Sequence, residues 1–262
     1  MGLDKETIEK LAKHCEDAEL NAYEIAKITN DYPDLSFEDA YAIQWKARSF
    51  KEARGTKIVG LKMGITSQAK MDQMGVHEPI YGYLADYFAY SDGAEIKIDG
   101  LIHPKVEAEI AFVLKKDLRG PGCHIGDVIA ATDFVSPSVE IIDSRYKDFK
   151  FDLPSVIADN CSSTRYVAGG TARNIDELDL KTLGVVVRIN GKIVQVGAGA
   201  AVLGHPANAI AMLANMLHAR GEYVKAGEYI MSGAITAAES VKKGDNVEVR
   251  FQDLGSISFT FI

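Results

Sequence analysis

At 262 residues the chain is long enough to bury a substantial interior, and its net charge of -8 carries no basic block, which argues against nucleic acid or an anionic membrane as partner. Three cysteines, Cys15, Cys123 and Cys161, are an odd number without a C-x-x-C pair, so neither a disulfide framework nor a thiolate zinc site is expected. The first twenty residues are charged from Asp4 onward and lack the apolar core of a secretory signal, so a reducing, cytoplasmic location is expected.

Apolar positions recur at helical spacing over residues 5–19 and 36–53, with Ser36 and Asp39 placed as a capping box. From Lys57 the pattern changes to short β-rich runs separated by Gly, Asn, Asp and Pro. The change predicts a boundary between residues 65 and 80, dividing a helical N-terminal region, 1–75, from a β-rich body, 76–262, with Lys62 contributed by the first part. In HPKVEAEIAF, His103 to Phe112, Val106, Ala108 and Ile110 alternate with Glu107 and Glu109, the period of a strand. Both carboxylates then share one face, with Cα atoms about 6.6 Å apart. Further on, Glu140 lies among Val139, Ile141 and Ile142. Asn190-Gly191 between two β-branched runs predicts a type I′ hairpin. The apolar stretch Gly197 to Leu217 is broken by Gly204-His205-Pro206 and carries Asn208 and Asn215. It reads as a loop and a buried helix, opened by Pro206 and closed by Gly221, and not as a membrane span. The tail alternates again as a terminal hairpin. Because helices do not alternate regularly with strands, the class is α+β, a β-rich mixed-sheet body with a smaller helical N-terminal region.

Three carboxylates in apolar strand contexts are costly to bury unpaired. A hard divalent cation, Mg²⁺ or Mn²⁺, would resolve that cost through oxygen ligands; zinc fits less well without cysteine or clustered histidine. The competing reading puts Glu107 and Glu109 on a solvent face and pairs Glu140 with Arg145 or Lys147, and an isolated E-x-E does not decide between the two. Lys62 in VGLKMG either sits at the site, where burial lowers its pKa and lets it shuttle a proton, or snorkels from a strand edge. Asp159, Asn160, Ser162 and Ser163 in IADNCSST form a turn or supply polar site groups. His205 in LGHP reads as a residue that caps or orders a loop. Ser232-Gly233 either aims backbone N–H groups at an anion or bends the chain. Absence of a G-x-S-x-G elbow, a Walker loop and a G-x-G-x-x-G fingerprint removes support for serine hydrolase, nucleotidase and Rossmann readings.

Four segments carry a resemblance: KIVGLKMGITSQAKMDQMGVHEPIYGYLADYF, LIHPKVEAEIAFV, GPGCHIGDVIAATDFVSPSVEIIDSRYKDFKFDLPSVIADNCSSTRY and GAGAAVLGHPANAIAMLANML. Together they resemble the hydratase/decarboxylase family of the fumarylacetoacetate hydrolase-like fold, over nearly the whole chain. The resemblance implies that Glu107, Glu109 and Glu140 hold Mg²⁺ and that Lys62 lies beside the substrate. It implies a catalytic place for Asp159, with Asn160, Ser162, Ser232 and Gly233 as candidate substrate contacts. IADNCSST lacks the lysine that the wider superfamily often has there, which leaves Lys62 as the cation. The implied reaction is decarboxylation of 2-oxohex-3-enedioate to 2-hydroxypenta-2,4-dienoate in meta-cleavage catabolism of aromatic compounds, since MSGAITAAESV and LADYF match the decarboxylase branch. The alternatives are hydration of 2-hydroxypenta-2,4-dienoate and a non-catalytic partner subunit of a hydratase. Expected partners are a small dicarboxylate, further copies of the chain in a homo-oligomer, and the hydratase of the same pathway.

Overall fold

The protein is described by a computed structural model covering residues 2–74 and 76–262. Asp4 starts the first helix, its carboxylate accepting from the Thr7 N–H, and α1 (Lys5–Asn21) runs until Ala22 turns left-handed. Ser36 Oγ accepts from the Asp39 N–H and starts α2 (Phe37–Ala53). The expected capping box is one-sided: the Asp39 carboxylate takes Ser36 Oγ–H and the Leu3 N–H, not the Ser36 N–H. The two helices pack together, burying Leu11, Ala12, Cys15 and Ala18 of α1.

The chain continues through β1 (Ile58–Gly64), α3 (Gln68–Met74), β2 (Ile80–Ala85), β3 (Ala89–Ser91), β4 (Glu95–Ile96), β5 (Lys105–Leu114), α4 (Ile125–Ala131), β6 (Thr132–Ile142), α5 (Leu153–Ala158) and β7 (Ser163–Ala168). It closes with β8 (Gly184–Ile189), β9 (Lys192–Ala198), α6 (Pro206–His218), β10 (Tyr229–Met231), β11 (Glu239–Ser240), β12 (Asn246–Phe251) and β13 (Gly255–Phe261). Asn190 and Gly191 both have positive φ, 53° and 77°, as a type I′ turn between β8 and β9 requires. His205 caps α6, and the Gly221 N–H bonds to His218 O while the Glu222 N–H bonds to Leu217 O, a Schellman closure. At 13 residues α6 is about 20 Å long, shorter than a bilayer core, and most of its side chains are buried.

Among the described residues the strands form two sheets. The larger runs β2-β1-β10-β5-β6-β7-β3, with β11 added to the start of β5, and the smaller runs β4-β13-β12-β8-β9. The β1–β10 pair is parallel, whereas β10–β5 and β5–β6 are antiparallel, so the larger sheet is mixed. β1, which carries Lys62, is thus an interior strand of this sheet, separated by β10 alone from β5, the nearer of the two strands that carry the acidic residues.

Candidate metal centre

The β5–β6 register sets Glu107 directly opposite Glu140 and Glu109 opposite Ser138. Alternate residues share a face, so Glu107, Glu109 and Glu140 project to the same side. Following the register through β10, where Met231 lies between Lys62 and Ala111, puts Lys62 on that side too. One carboxylate oxygen from each of Glu107, Glu109 and Glu140 lies within 4.8 Å of the other two. Glu109 and Glu140 are completely buried and Glu107 half-buried, so the solvent-facing arrangement does not occur. Nor does Glu140 pair with Arg145 or Lys147; its Oε2 lies 3.0 Å from Lys62 Nζ.

The cluster is short of positive partners. Glu109 Oε1 and both Glu140 oxygens accept no hydrogen bond. The Lys62 contact is ionic and off the hydrogen-bonding line, and the ammonium donates instead to Cys161 O at 3.1 Å. Burial, then the Glu140 charge, pushes Glu107 to about 7 against the pull of Lys62. The same two causes raise Glu109 well above the usual carboxylate range. Burial opposes the Lys62 ammonium, yet Glu140 above all holds it charged and raises its pKa. The expected lowering by burial is therefore reversed, because carboxylates sit where solvent was. Fully ionised, as ligands to a cation must be, three carboxylates and one ammonium carry two net negative charges in a largely buried space. A divalent cation with oxygen ligands matches that charge and that donor set.

Gly233 positions Glu109. Its N–H donates to Glu109 Oε2 at 2.8 Å, so the anion that Ser232-Gly233 meets is the cluster's own carboxylate. With φ at +103°, Gly233 could not carry a Cβ, which would lie 2.2 Å from Thr66 Oγ1.

Lys62 is placed by a turn in which Asn160, Cys161 and Ser162 are all left-handed, φ 48°, 53° and 58°. Three successive L-residues in that region cost about 1–2 kcal/mol each, so surrounding contacts must impose the turn. The Asn160 carboxamide does so like a strand neighbour, accepting from the Tyr83 N–H at 2.9 Å and donating to Tyr83 O at 3.0 Å. Cys161 Sγ donates to Tyr81 O at 3.1 Å. A Cβ on Gly82 would come within 2.7 Å of Asn160 Oδ1, so the glycine admits the carboxamide.

A cleft of about 480 Å³ opens over the cluster, lined among others by Lys62, Lys105, Glu107, Phe149, Phe151 and Ser162. A second lobe of about 360 Å³ shares Glu107 and Lys70 and reaches Thr66 and Ala234. Ser162 faces the cleft with an unpartnered, buried Oγ. Ser232 Oγ is also buried and unpartnered, but Ser232 does not line either lobe. The geometry does not bring Asp159 or Asn160 to the cleft. Asn160 spends both amide groups on Tyr83, and the Asp159 carboxylate is taken by Arg145 Nε and by the Arg145 N–H at 3.1 Å. Burial opposes the Arg145 charge, but Asp159 outweighs it and raises the guanidinium's pKa. Lys70, Lys105, Phe149 and Phe151 escaped the reading of the sequence. Only Lys105 carried a signal, standing one strand period before Glu107.

Residues 62–262 match the family model described as fumarylacetoacetate (FAA) hydrolase C-terminal. A 4-oxalocrotonate decarboxylase of Pseudomonas putida is 62% identical over 260 residues, covering 99% of this chain and 98% of its own. A 2-hydroxyhexa-2,4-dienoate hydratase of Comamonas testosteroni is 40% identical over 260 residues, with 98% of each chain covered. The solved 4-oxalocrotonate decarboxylase from Pseudomonas putida G7, complexed with magnesium and adipate, superposes with a TM-score of 0.98 at 60% identity over 99% of both chains. With a family model spanning 62–262 and relatives this similar end to end, the chain belongs to the fumarylacetoacetate hydrolase family.

Proposed function

We propose that this chain is a Mg²⁺-dependent carboxy-lyase that converts 2-oxohex-3-enedioate into 2-hydroxypenta-2,4-dienoate and CO₂ in meta-cleavage catabolism. The observation that carries the reading is the set of buried carboxylate oxygens without donors on Glu109 and Glu140, clustered with Glu107, which lines the cleft. The 62% identity to a decarboxylase, against 40% to a hydratase, favours loss of CO₂ over addition of water. Glu107, Glu109 and Glu140 would hold Mg²⁺, with Mn²⁺ as the substitute of similar chemistry. Bound there, the cation supplies Lewis-acid stabilisation to an oxygen that gains charge.

The substrate is a vinylogous β-keto acid. When the C5–C6 bond breaks, its electrons form C4=C5, the C3=C4 pair moves to C2=C3, and the keto oxygen takes the charge. Lys62 offsets negative charge at the 2-oxo acid end, and Cys161 O fixes the ammonium there. Gly233 holds Glu109 in its orientation. Phe149 and Phe151 exclude water from the cleft wall, which favours departure of the distal carboxylate as neutral CO₂. A homo-oligomer and an association with the pathway hydratase fit the same reading, since the dienol product is that enzyme's substrate class.

The test is CO₂ release from 2-oxohex-3-enedioate with Mg²⁺, stopped by EDTA and restored by excess Mg²⁺. Consumption of 2-hydroxypenta-2,4-dienoate without CO₂ from the enedioate would replace this reading with the hydratase one. No turnover of either compound, with Mg²⁺ bound, would leave the non-catalytic partner.

A further inference from the structure

The cluster and Lys62 account for the 2-oxo acid end of the proposed substrate, and the present inference rests on that reading. A second carboxylate remains to be recognised. Lys105, Glu107 and Glu109 alternate along one face of β5, and the first two line the cleft. Strand rise puts the Lys105 Cα about 6.6 Å from that of Glu107. An extended six-carbon diacid, with five C–C bonds of about 1.5 Å, separates its carboxyl carbons by about 6.4 Å. The span between the substrate's two carboxylates is thus of the order of the spacing between neighbouring side chains on this face of the strand.

The environment of Lys105 suits an anion. Its Nζ lies 4.1 Å from the centroid of the Phe149 ring, which seats the ammonium at the cleft wall. Ile142 stands opposite it across β6 and lines the same wall. Other cleft lysines are engaged or exposed: Lys62 pairs with Glu140 at 3.0 Å, and Lys150, 81% exposed, meets Asp148 at 3.6 Å. Lys70 lies exposed on α3. Lys105 is half-buried and has no carboxylate at ion-pair distance among the described residues.

We propose that Lys105 binds the distal carboxylate, the one that departs as CO₂, and thereby makes the cleft select dianionic 2-oxo acids over monoanionic ones. The contact has a predictable kinetic signature. As the C5–C6 bond breaks, its electron pair stays with C5 and the departing group loses its negative charge, so the ion pair is stronger in the bound substrate than in the transition state. Lys105 therefore contributes to binding and not to lowering the barrier.

The experiment compares 2-oxoadipate with 2-oxohexanoate, the same chain ending in a methyl group; both lack the conjugated double bond and are not decarboxylated by this route. Isothermal titration calorimetry of the Mg²⁺-loaded protein should show 2-oxoadipate bound tighter by about tenfold or more. Lys105→Met should erase that preference while leaving 2-oxohexanoate affinity within about twofold, and Lys105→Arg should keep it. In turnover, Lys105→Met should raise KM by about tenfold with kcat unchanged or higher. An unaltered preference in Lys105→Met, an equal loss for both ligands, or a fall in kcat at constant KM overturns the assignment. If neither 2-oxo acid binds the wild-type protein, the reading of the cleft as a 2-oxo acid site fails, and this inference with it.

Discussion

Replacing Lys62 by Met removes the positive charge that lies 3.0 Å from Glu140 and has two opposite consequences. At that separation two unit charges attract by about 5.5 kcal/mol in an effective dielectric of about 20. Part of this offsets the desolvation of both groups, and breaking one side of such a buried pair costs about 3–5 kcal/mol net. At about 2 °C per kcal/mol for a chain of this size, the metal-free variant should melt about 6–10 °C below wild type. The same ammonium also opposes a second cation beside Glu140, so Lys62→Met should bind Mg²⁺ about tenfold tighter, equivalent to about 1.4 kcal/mol. Rising MgCl₂ should then restore more of the variant's stability than of the wild type's, through ordinary ligand linkage. Thermal melts in EDTA and across a MgCl₂ series, with calorimetric titration of Mg²⁺, measure both effects. Equal or weaker Mg²⁺ affinity in the variant would refute the idea that Lys62 and the cation share the Glu140 charge.

Glu107→Gln should abolish decarboxylation and weaken Mg²⁺ by about 100-fold, near 2.7 kcal/mol, while the half-buried side chain leaves the melting curve within a few degrees; Mg²⁺ titration that matches wild type would remove Glu107 from the site. Gly233→Ala forces a Cβ to within 2.2 Å of Thr66 Oγ1 at φ +103° and displaces the N–H that Glu109 uses. It should lower stability by about 1–3 kcal/mol and Mg²⁺ affinity by about tenfold or more, read by melts and calorimetry, and unchanged affinity would contradict the positioning role. His205 accepts the Ala207 N–H at 3.1 Å through an unprotonated Nδ1, and burial lowers its pKa below the ordinary value of 6.5. Its cap, worth about 1 kcal/mol, is complete above pH 6.5 and is lost as pH falls through the lower folded-state pKa. Denaturant unfolding at pH 8 and pH 5 should show His205→Asn losing less stability than wild type on acidification; parallel profiles would exclude the mechanism.

Local chemistry made several elements readable in advance. Alternation in KVEAEIAF gave β5, Asn190-Gly191 gave the β8–β9 turn, and Pro206 with Gly221 bracketed α6 and its closing turn. What brings Glu140 to Glu107 is a strand register between segments far apart in the chain, which no local pattern encodes. For the same reason Glu140's partner is Lys62 from β1 and not its sequence neighbour Arg145, which turns to Asp159 instead. The left-handed run at 160–162 was hidden because only Asn160 among the three favours that conformation, and Tyr83 and Tyr81 of β2 impose it from outside. The catalytic place for Asp159 came from the resemblance alone, and the sequence does not reveal that its carboxylate faces Arg145. Lys105 stands one step N-terminal to Glu107 in the same alternation that puts the glutamates on one face.

Two parts of this protein differ in how freely they can be rewritten. The acidic residues stand on β5 and β6, paired residue for residue along most of their length, whereas Phe149 and Phe151 belong to the connection between β6 and α5. Altering that connection reshapes what the cleft admits without shifting a single ladder bond beneath it. A lineage built on such a frame can change its diet by editing loops while inheriting the same electron-withdrawing floor.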